Sequence, residues 1–291
     1  MGITVTHFTD PGCPWAYSAR PSHAALRWRY GDQLDWRLVM IGLAESPEVY
    51  EERGYTPERQ VDGYRMFAGR FGMPFGYEPK ARVSGTSRAC RAVIVARDED
   101  PALGEAALRA LQFLQFTSTG RLDDEDDLRR ALAAVEGLDA DRVVAALEDE
   151  DVWARYEVDR TRTRSAEGTP SHAQGKTASY GGPERYTAPS LIFTTDDGRS
   201  LEVGGFQPLE AYDVALANLD PMLERRPVTD DPAALLAAFP DGLTTAEAAE
   251  AMRRDLAPDD RPGALDALTR AAETGHVRRT PLGDDALWRR L

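Results

Sequence analysis

Residues 3–16 read ITVTHFTDPGCPWA, and this stretch decides the fold. Ile3 to Phe8 alternates β-branched and aromatic residues with polar ones, which is the period of a strand. Asp10-Pro11-Gly12 is turn chemistry. Pro14 follows where a helix can begin, because the N–H it lacks would have no partner in a first turn. The spacing predicts one helix from Pro14 to Tyr30, ended by Gly31. Leu34 to Ile41 reads as a second strand, with Leu34, Trp36, Leu38 and Met40 on one face. Strand, helix and strand in succession make a βαβ unit, with a parallel pair and a right-handed crossover. Cys13 then lies between the first strand and the first helical turn. Unpaired N–H groups and the dipole of a helix N-terminus favour a thiolate, so a lowered Cys13 pKa is expected.

Further along, nearly everything from Glu45 to Ala166 reads as helix. The pattern predicts helices over Ser87–Arg97, Ala102–Phe116 and Asp139–Arg160. The acidic run Asp123 to Asp127 opens another, as favourable charge at a helix N-terminus followed by Leu128, Leu132 and Val135 at helical spacing. Ser165 to Tyr186 is rich in Gly, Ser and Thr and reads as a long loop; loops of that length are often functional. Ser190–Thr195 and Ser200–Val203 read as strands around an Asp197-Gly198 hairpin turn. Pro208 to Leu219 is the closing helix. Thr244–Met252 and Gly263–Thr274 read as two more helices, and His276 to Trp288 as a small hairpin around Gly283-Asp284.

Two distant segments complete the pattern. Thr187-Ala188-Pro189-Ser190 leads into the apolar run Leu191-Ile192-Phe193, and a proline at a strand start suits a tight loop. Gly204-Gly205-Phe206-Gln207-Pro208 joins the last strand to the closing helix. With Cys13-Pro14-Trp15, these features resemble the DsbA family, especially its cytoplasmic FrnE-like branch. The Cys-Pro-Trp opening looks like that family's Cys-Pro-Trp-Cys site. The helical block resembles its insertion, Ala188-Pro189 its cis-proline loop, and Gly205 to Leu209 its approach to the final helix. Gly168-Thr169-Pro170 is a rival for the cis-proline loop, set aside because no apolar strand follows it. The similarity runs over roughly residues 3–220.

The resemblance implies an α/β, thioredoxin-like fold with a large helical insertion between its second and third strands. The thioredoxin-like part takes residues 1–44 and 187–222, and the insertion with its connecting loop takes 45–186. Residues 228–291, as helix, helix and hairpin, resemble a small winged-helix module. The resemblance also implies that Cys13 is the catalytic group, with Pro14, Trp15, Ala16, Ala188 and Pro189 supporting it or contacting substrate. Ala16 stands where the family has its second cysteine. In a dithiol enzyme that residue attacks the mixed disulfide and releases product, so a single-thiol mechanism is expected here.

Other residues have plainer readings beside sharper ones. Cys90, at helical spacing from Ala89, Val93 and Ile94, reads as a core cysteine, or as a distal resolving thiol. His7 reads as a half-buried strand residue, or as a group tuning the Cys13 thiolate. His23 reads as structural and His172 as an exposed loop residue. Trp15, Tyr17, Tyr64, Phe67, Phe71, Phe75 and Tyr77 read as packing between subdomains, or as an apolar wall for substrate. Two cysteines and four scattered histidines give no metal-ligand spacing.

Composition narrows the rest. A net charge of −14 and a core-forming 42% apolar content suit a soluble protein and disfavour nucleic acid or anionic membrane as partners. Residues 228–291 hold 8 basic and 12 acidic side chains, so the tail is expected to pack or dimerise rather than bind DNA. No apolar run approaches the ~20 residues of a membrane span, no signal peptide is read, and two cysteines make no disulfide scaffold, so a cytoplasmic setting is expected. Met1-Gly2 with Thr6 fits a loose myristoylation pattern, read here as ordinary strand alternation. The expected function is thiol-disulfide exchange on a small thiol or disulfide, or on protein disulfides. No cofactor is expected to bind tightly, and glutathione or another low-molecular-weight thiol is the expected co-reactant. The alternatives are a thiol-cofactor transferase or isomerase, as in the related kappa-class glutathione transferases and hydroxychromene carboxylate isomerases, and a non-catalytic scaffold.

Overall fold

A computed structural model describes residues 2–180 and 182–291; Gly181 and Met1, with the start of the Met1-Gly2 pattern, lie outside the described residues. Strand β1 (Ile3–Thr9) leads through the Asp10-Pro11-Gly12 turn into α1 (Pro14–Ser18), α2 (Arg20–Tyr30) and β2 (Leu34–Met40). The expected single helix over 14–30 is therefore two. Pro21 has no N–H for the Tyr17 carbonyl and its ring crowds that carbonyl, so the chain steps at Ala19. Gly31 ends α2 with φ +54.

The helical block holds α3 (Glu48–Glu51), α4 (Pro57–Phe71), α5 (Ser87–Glu99), α6 (Pro101–Thr117), α7 (Glu125–Leu132), α8 (Ala140–Ala145) and α9 (Glu150–Thr163). Asp124 accepts the Asp127 N–H at 3.1 Å, so the acidic run does start a helix. The expected helix over 139–160 breaks, because Asp149 is extended after a 3₁₀ turn. That turn drops Leu147 into the core, where its carbonyl accepts from Arg91. The long loop contains α10 (Pro170–Ala173), capped by Thr169, and the short pair β3 (Thr177–Ala178) and β4 (Arg185–Tyr186). Then come β5 (Ser190–Thr195), β6 (Ser200–Val203) and α11 (Leu209–Leu219). The tail adds α12 (Pro232–Leu236), which the sequence reading missed, and β7 (Leu243–Thr244). It ends in α13 (Thr245–Met252), α14 (Arg261–Glu273), β8 (Val277–Leu282) and β9 (Asp285–Arg290).

The main sheet has the order β2-β1-β5-β6. β1 and β2 are parallel, while β5 runs antiparallel to both β1 and β6. Ile3, Val5, Leu191 and Phe193 of the sheet share a core with Leu26, Leu209, Tyr212 and Leu216. The insertion has its own core around Val93, Leu108, Leu111, Val143 and Tyr156. A buried ion pair ties it to the sheet: Arg97 donates twice to Asp159, at 2.6 and 3.0 Å, and Asp159 also accepts the Met40 N–H at 2.7 Å. The C-terminal elements form a sheet of order β7-β9-β8. Their core, with Leu243, Leu268 and Trp288, also takes in Ala24 and Trp28 of α2, so this unit shares its interior with the first domain.

Gly42, just after β2, has φ +65, and a Cβ there would collide with the Tyr156 hydroxyl. Gly42→Ala should therefore cost about 2 kcal/mol or more, from the left-handed backbone and from displacement of Tyr156. Denaturant unfolding checks this, and Tyr156→Phe should recover part of the loss in the double variant.

Candidate functional site

The turn before α1 is built on Asp10. Its carboxylate accepts the Gly12 N–H at 2.8 Å and its carbonyl accepts the Cys13 N–H at 3.2 Å. This sets Cys13 as the N-cap of α1, in extended conformation, with Pro14 in the first turn. The Cys13 thiol is buried and donates to the Ala188 carbonyl at 3.3 Å. The Ala188–Pro189 peptide is cis. Ser190 holds that loop in place by donating to Thr187 O at 2.7 Å and accepting the Gly205 N–H at 3.0 Å. Cys13, Ala16 and Ala188 thus meet in one cluster, with Phe8 and Tyr186 stacked beneath them. Ala16 is itself buried and presents only a methyl.

The electrostatics reverse one expectation. Burial pushes the Cys13 thiol up to about 12, and the nearby Asp10 charge adds to this. The N–H groups of Ala16 and Trp15 and the Arg185 guanidinium pull the other way, as a helix N-terminus should, but do not win. At rest Cys13 is a protonated thiol. The lowered pKa expected from helix position alone does not allow for how deeply the turn is covered.

Asp10 is the residue that sequence reasoning left as mere turn chemistry. Besides Gly12, it accepts the Leu43 N–H at 2.8 Å, the Thr86 hydroxyl at 3.0 Å and the Cys90 thiol at 3.4 Å. Burial raises its pKa despite these four donors. Its position three residues before Cys13, with Pro-Gly between, was the available signal. Cys90 is fully buried in α5 within the insertion core, and both cysteines are free thiols.

His7 is not brought to this site. Its side chain lies against His23 and Trp36, with ring centroids 4.8 and 6.0 Å away. Alternation along β1 is the reason: Phe8 faces the Cys13 cluster, and His7 faces the other side. The role of tuning Cys13 is thereby corrected. His172 is exposed and accepts the Gly168 N–H at 3.0 Å.

The aromatic set divides in two. Trp15, 40% exposed, packs edge-on against Phe67, Phe71 and Phe206 at 5.0 to 5.7 Å and forms a rim beside Cys13. Tyr17, Tyr64, Phe75 and Phe116 form a closed core behind it. Phe206 belongs to the rim and was missed, because it comes from the joint between β6 and α11. Tyr77 donates instead to Asp284 of the C-terminal hairpin, whose carboxylate also accepts the Phe75 N–H at 2.8 Å. Alongside Gly12, Pro14 and Trp15 opens a cavity of about 550 Å³. Its wall mixes apolar surface from Phe67 and Leu122 with Tyr50, Arg53, Arg59 and Arg185, a lining suited to a small molecule carrying carboxylates. Among the described residues no group of three or more His, Cys, Asp or Glu could hold a metal ion. No helix there is long and apolar enough to cross a membrane.

Comparison with known proteins agrees with this geometry. A family model for a DSBA-like thioredoxin domain matches residues 4–184. A search of the curated proteins finds no match. Among solved structures, the cytosolic disulfide reductase DsbM from Pseudomonas aeruginosa is similar at 23% identity and TM-score 0.52, over 74% of this chain and 99% of that one. The same protein with GSH matches at 21% identity and TM-score 0.50, over 76% of this chain and 98% of that one. A probable DsbA oxidoreductase from Streptomyces coelicolor matches at 21% identity and TM-score 0.56, over 78% of this chain and 93% of that one.

Proposed function

The chain belongs to the DsbA-like thioredoxin domain family, and from that premise we propose that it carries out thiol-disulfide exchange through one thiol, Cys13, with glutathione or a similar low-molecular-weight thiol as co-reactant. The observation that carries this reading is the placement of Cys13: at a helix N-terminus, in contact with Ala188 of the cis-proline loop, with a methyl at Ala16 where a resolving thiol would stand. Cys13, as thiolate, attacks one sulfur of a disulfide; the S–S bond breaks, a mixed disulfide forms on Cys13, and the other sulfur leaves as a thiol after taking a proton. A free thiol then attacks the sulfur held by Cys13, forming a new disulfide and returning Cys13 to the thiol. One disulfide and one thiol are consumed and one of each is produced, so no further oxidant is needed. Asp10 is the carboxyl whose charge acts on the Cys13 thiol, and its raised pKa suits it to take up or return the Cys13 proton. Arg53, Arg59 and Arg185 would receive the carboxylates of the small thiol.

The same reading assigns a reducing, cytoplasmic setting, by likeness to the cytosolic DsbM. The order helix, strand, helix, helix, hairpin from α12 to β9 supports a winged-helix-like reading of the tail. Its α13 is largely buried against the rest of the chain, and α14 carries no net charge, which favours a packing role over DNA binding.

Incubation with oxidised glutathione followed by intact-mass measurement tests the proposal. One adduct is expected on wild type at mildly alkaline pH and none on Cys13→Ala, with release by added thiol. No Cys13–Cys90 bridge is expected in peptide maps. Absence of the adduct on folded protein removes the oxidoreductase reading. A second reading then takes its place, favoured by the protonated Cys13 donating to Ala188: a bound thiol does the chemistry and Cys13 serves as a neutral S–H donor. In that case Cys13→Ser keeps its activity.

A further inference from the structure

Residues 72–77, just after α4, are held from one side by the C-terminal unit, and the ring of Phe75 carries that hold to the cavity beside Cys13. Arg261, at the start of α14, lies so close over Gly72 that a Cβ there would strike its guanidinium. The Thr244 hydroxyl, at the start of α13, donates to the Met73 sulfur at 3.4 Å. The turn between β8 and β9 holds hardest. The Asp284 N–H donates to the Phe75 carbonyl at 2.9 Å, and the Asp284 carboxylate accepts the Phe75 N–H at 2.8 Å and the Tyr77 hydroxyl. Both backbone groups of Phe75 are thus taken by one residue. Gly283 permits the approach: its φ is +55, and a Cβ there would stand 2.6 Å from the Phe75 oxygen.

Phe75 is fully buried, with its ring centroid 5.2 Å from Tyr64, 5.6 Å from Phe116 and 6.5 Å from Phe67. Tyr64, Phe67 and Phe116 all line the cavity beside Cys13, and Phe67 meets Trp15 edge-on at 5.0 Å. On its other side Phe75 meets Tyr17 of α1 at 5.3 Å, and the Tyr17 hydroxyl donates to the Pro74 carbonyl at 2.8 Å. A close-packed interior transmits a displacement instead of absorbing it. The place of Phe75 therefore sets the place of the aromatic wall.

We propose that Asp284 is a positioning residue for the small-thiol cavity: by fixing both backbone groups of Phe75 it seats Tyr64, Phe67 and Phe116 against the ligand. The C-terminal unit is then a working part of the Cys13 site. The inference rests on the reading of that cavity as the place of the small thiol. Asp284 itself is not in the cavity lining. The groups that hold Cys13, the Asp10 turn and the Ala188 carbonyl, lie on other elements. Loss of the Asp284 carboxylate should loosen the wall and leave the thiol as it was.

Calorimetric titration of the full chain with S-methylglutathione, which carries the carboxylates of glutathione but cannot exchange, tests this. Wild type should bind, and Asp284→Ala should bind about tenfold more weakly. Asp284→Asn keeps an oxygen for the Phe75 N–H, and Tyr77→Phe leaves Phe75 held, so both should bind within about twofold of wild type. Phe75→Leu keeps the hairpin bonds but shortens the ring, and should weaken binding about as much as Asp284→Ala; it decides the matter if Asp284→Ala does not fold. Alkylation of Cys13 at a fixed alkaline pH should proceed at one rate in every variant. Equal binding by wild type and folded Asp284→Ala overturns the proposal. So does a loss that Asp284→Asn fails to restore, or one matched by a change in Cys13 alkylation. No binding to wild type overturns it as well, by removing the ligand from this cavity. Exchange is read separately, from the Cys13 adduct with oxidised glutathione: wild type that binds but forms no adduct defeats the exchange reading and leaves the role of Asp284 standing.

Discussion

Alkylation of Cys13 by iodoacetamide should be about a hundredfold slower at pH 7 than alkylation of a free cysteine, and should rise about tenfold per pH unit with no plateau below pH 9. The size follows from the thiol's environment. With its pKa pushed up to about 12, only about one thiol in 10⁵ is ionised at pH 7, against a few per cent for a free cysteine near 8.5. A more basic thiolate is the better nucleophile, which returns one to two orders of magnitude. Asp10→Asn removes the neighbouring negative charge and should move the whole profile to lower pH. A plateau near pH 7 in wild type would mean that the Trp15 and Ala16 N–H groups outweigh burial. The same protonation state bears on stability. The folded chain holds this proton more tightly than the unfolded one, so folding is unaffected by it below the free-thiol range and is weakened as pH rises above that range.

Glu247→Ala should cost about 3–5 kcal/mol, the largest loss expected from any single substitution among the charged residues. Glu247 is fully buried, yet it accepts from Arg109 twice, at 2.9 and 2.7 Å, and from Arg20 at 3.0 Å. It also closes the capping box of α13 by accepting the Thr244 N–H at 2.8 Å. Removing it leaves the Arg109 and Arg20 charges covered without a carboxylate, and takes away one half of the capping box of the helix that packs on α2. Glu247→Gln keeps the cap and should cost less. Arg109→Met combined with Glu247→Met should recover part of the loss, because Arg20 keeps Gln112 as a partner. Burial alone would raise the Glu247 pKa, but the Arg109 and Arg20 charges hold it below the usual range. Its contribution is therefore present above about pH 4.3 and is lost as pH falls through the lower folded value, so wild type and Glu247→Gln should converge in acid. Chemical denaturation at two pH values measures both effects.

The parts of the molecule visible in the sequence are those where local chemistry and tertiary packing agree. The period-2 run of β1, the turn at Asp10, Pro14 at a helix start, Gly31 at its end and Thr244 at the start of a later helix each say locally what the fold requires. The misses have tertiary causes. Pro21 was overlooked within a helical period, although its missing N–H breaks the helix. The stop at Asp149 has no glycine or proline to announce it and follows from seating Leu147 in the insertion core. Asp10 was read for its turn alone, because its four donors come from segments as distant as Leu43, Thr86 and Cys90. His7 is near Cys13 in sequence, whereas strand alternation turns it away from Phe8, which faces the Cys13 cluster. Phe206 reaches the rim only through the β6–α11 joint, and nothing nearby in sequence hints at it.

The interior that α2 shares with the C-terminal unit sets an order of events during synthesis. Trp28 finds its cover in Leu235, Leu243 and Trp288, and its indole N–H finds the Pro227 carbonyl at 3.1 Å. These partners leave the ribosome roughly 200 to 260 residues later, which at 5–20 residues per second is about 10–50 s. For that interval the outer face of α2 is an apolar strip without its cover, still open after β5 has completed its place in the main sheet. The C-terminal unit, though last to be made, is therefore the element that closes the outer face of α2 against water.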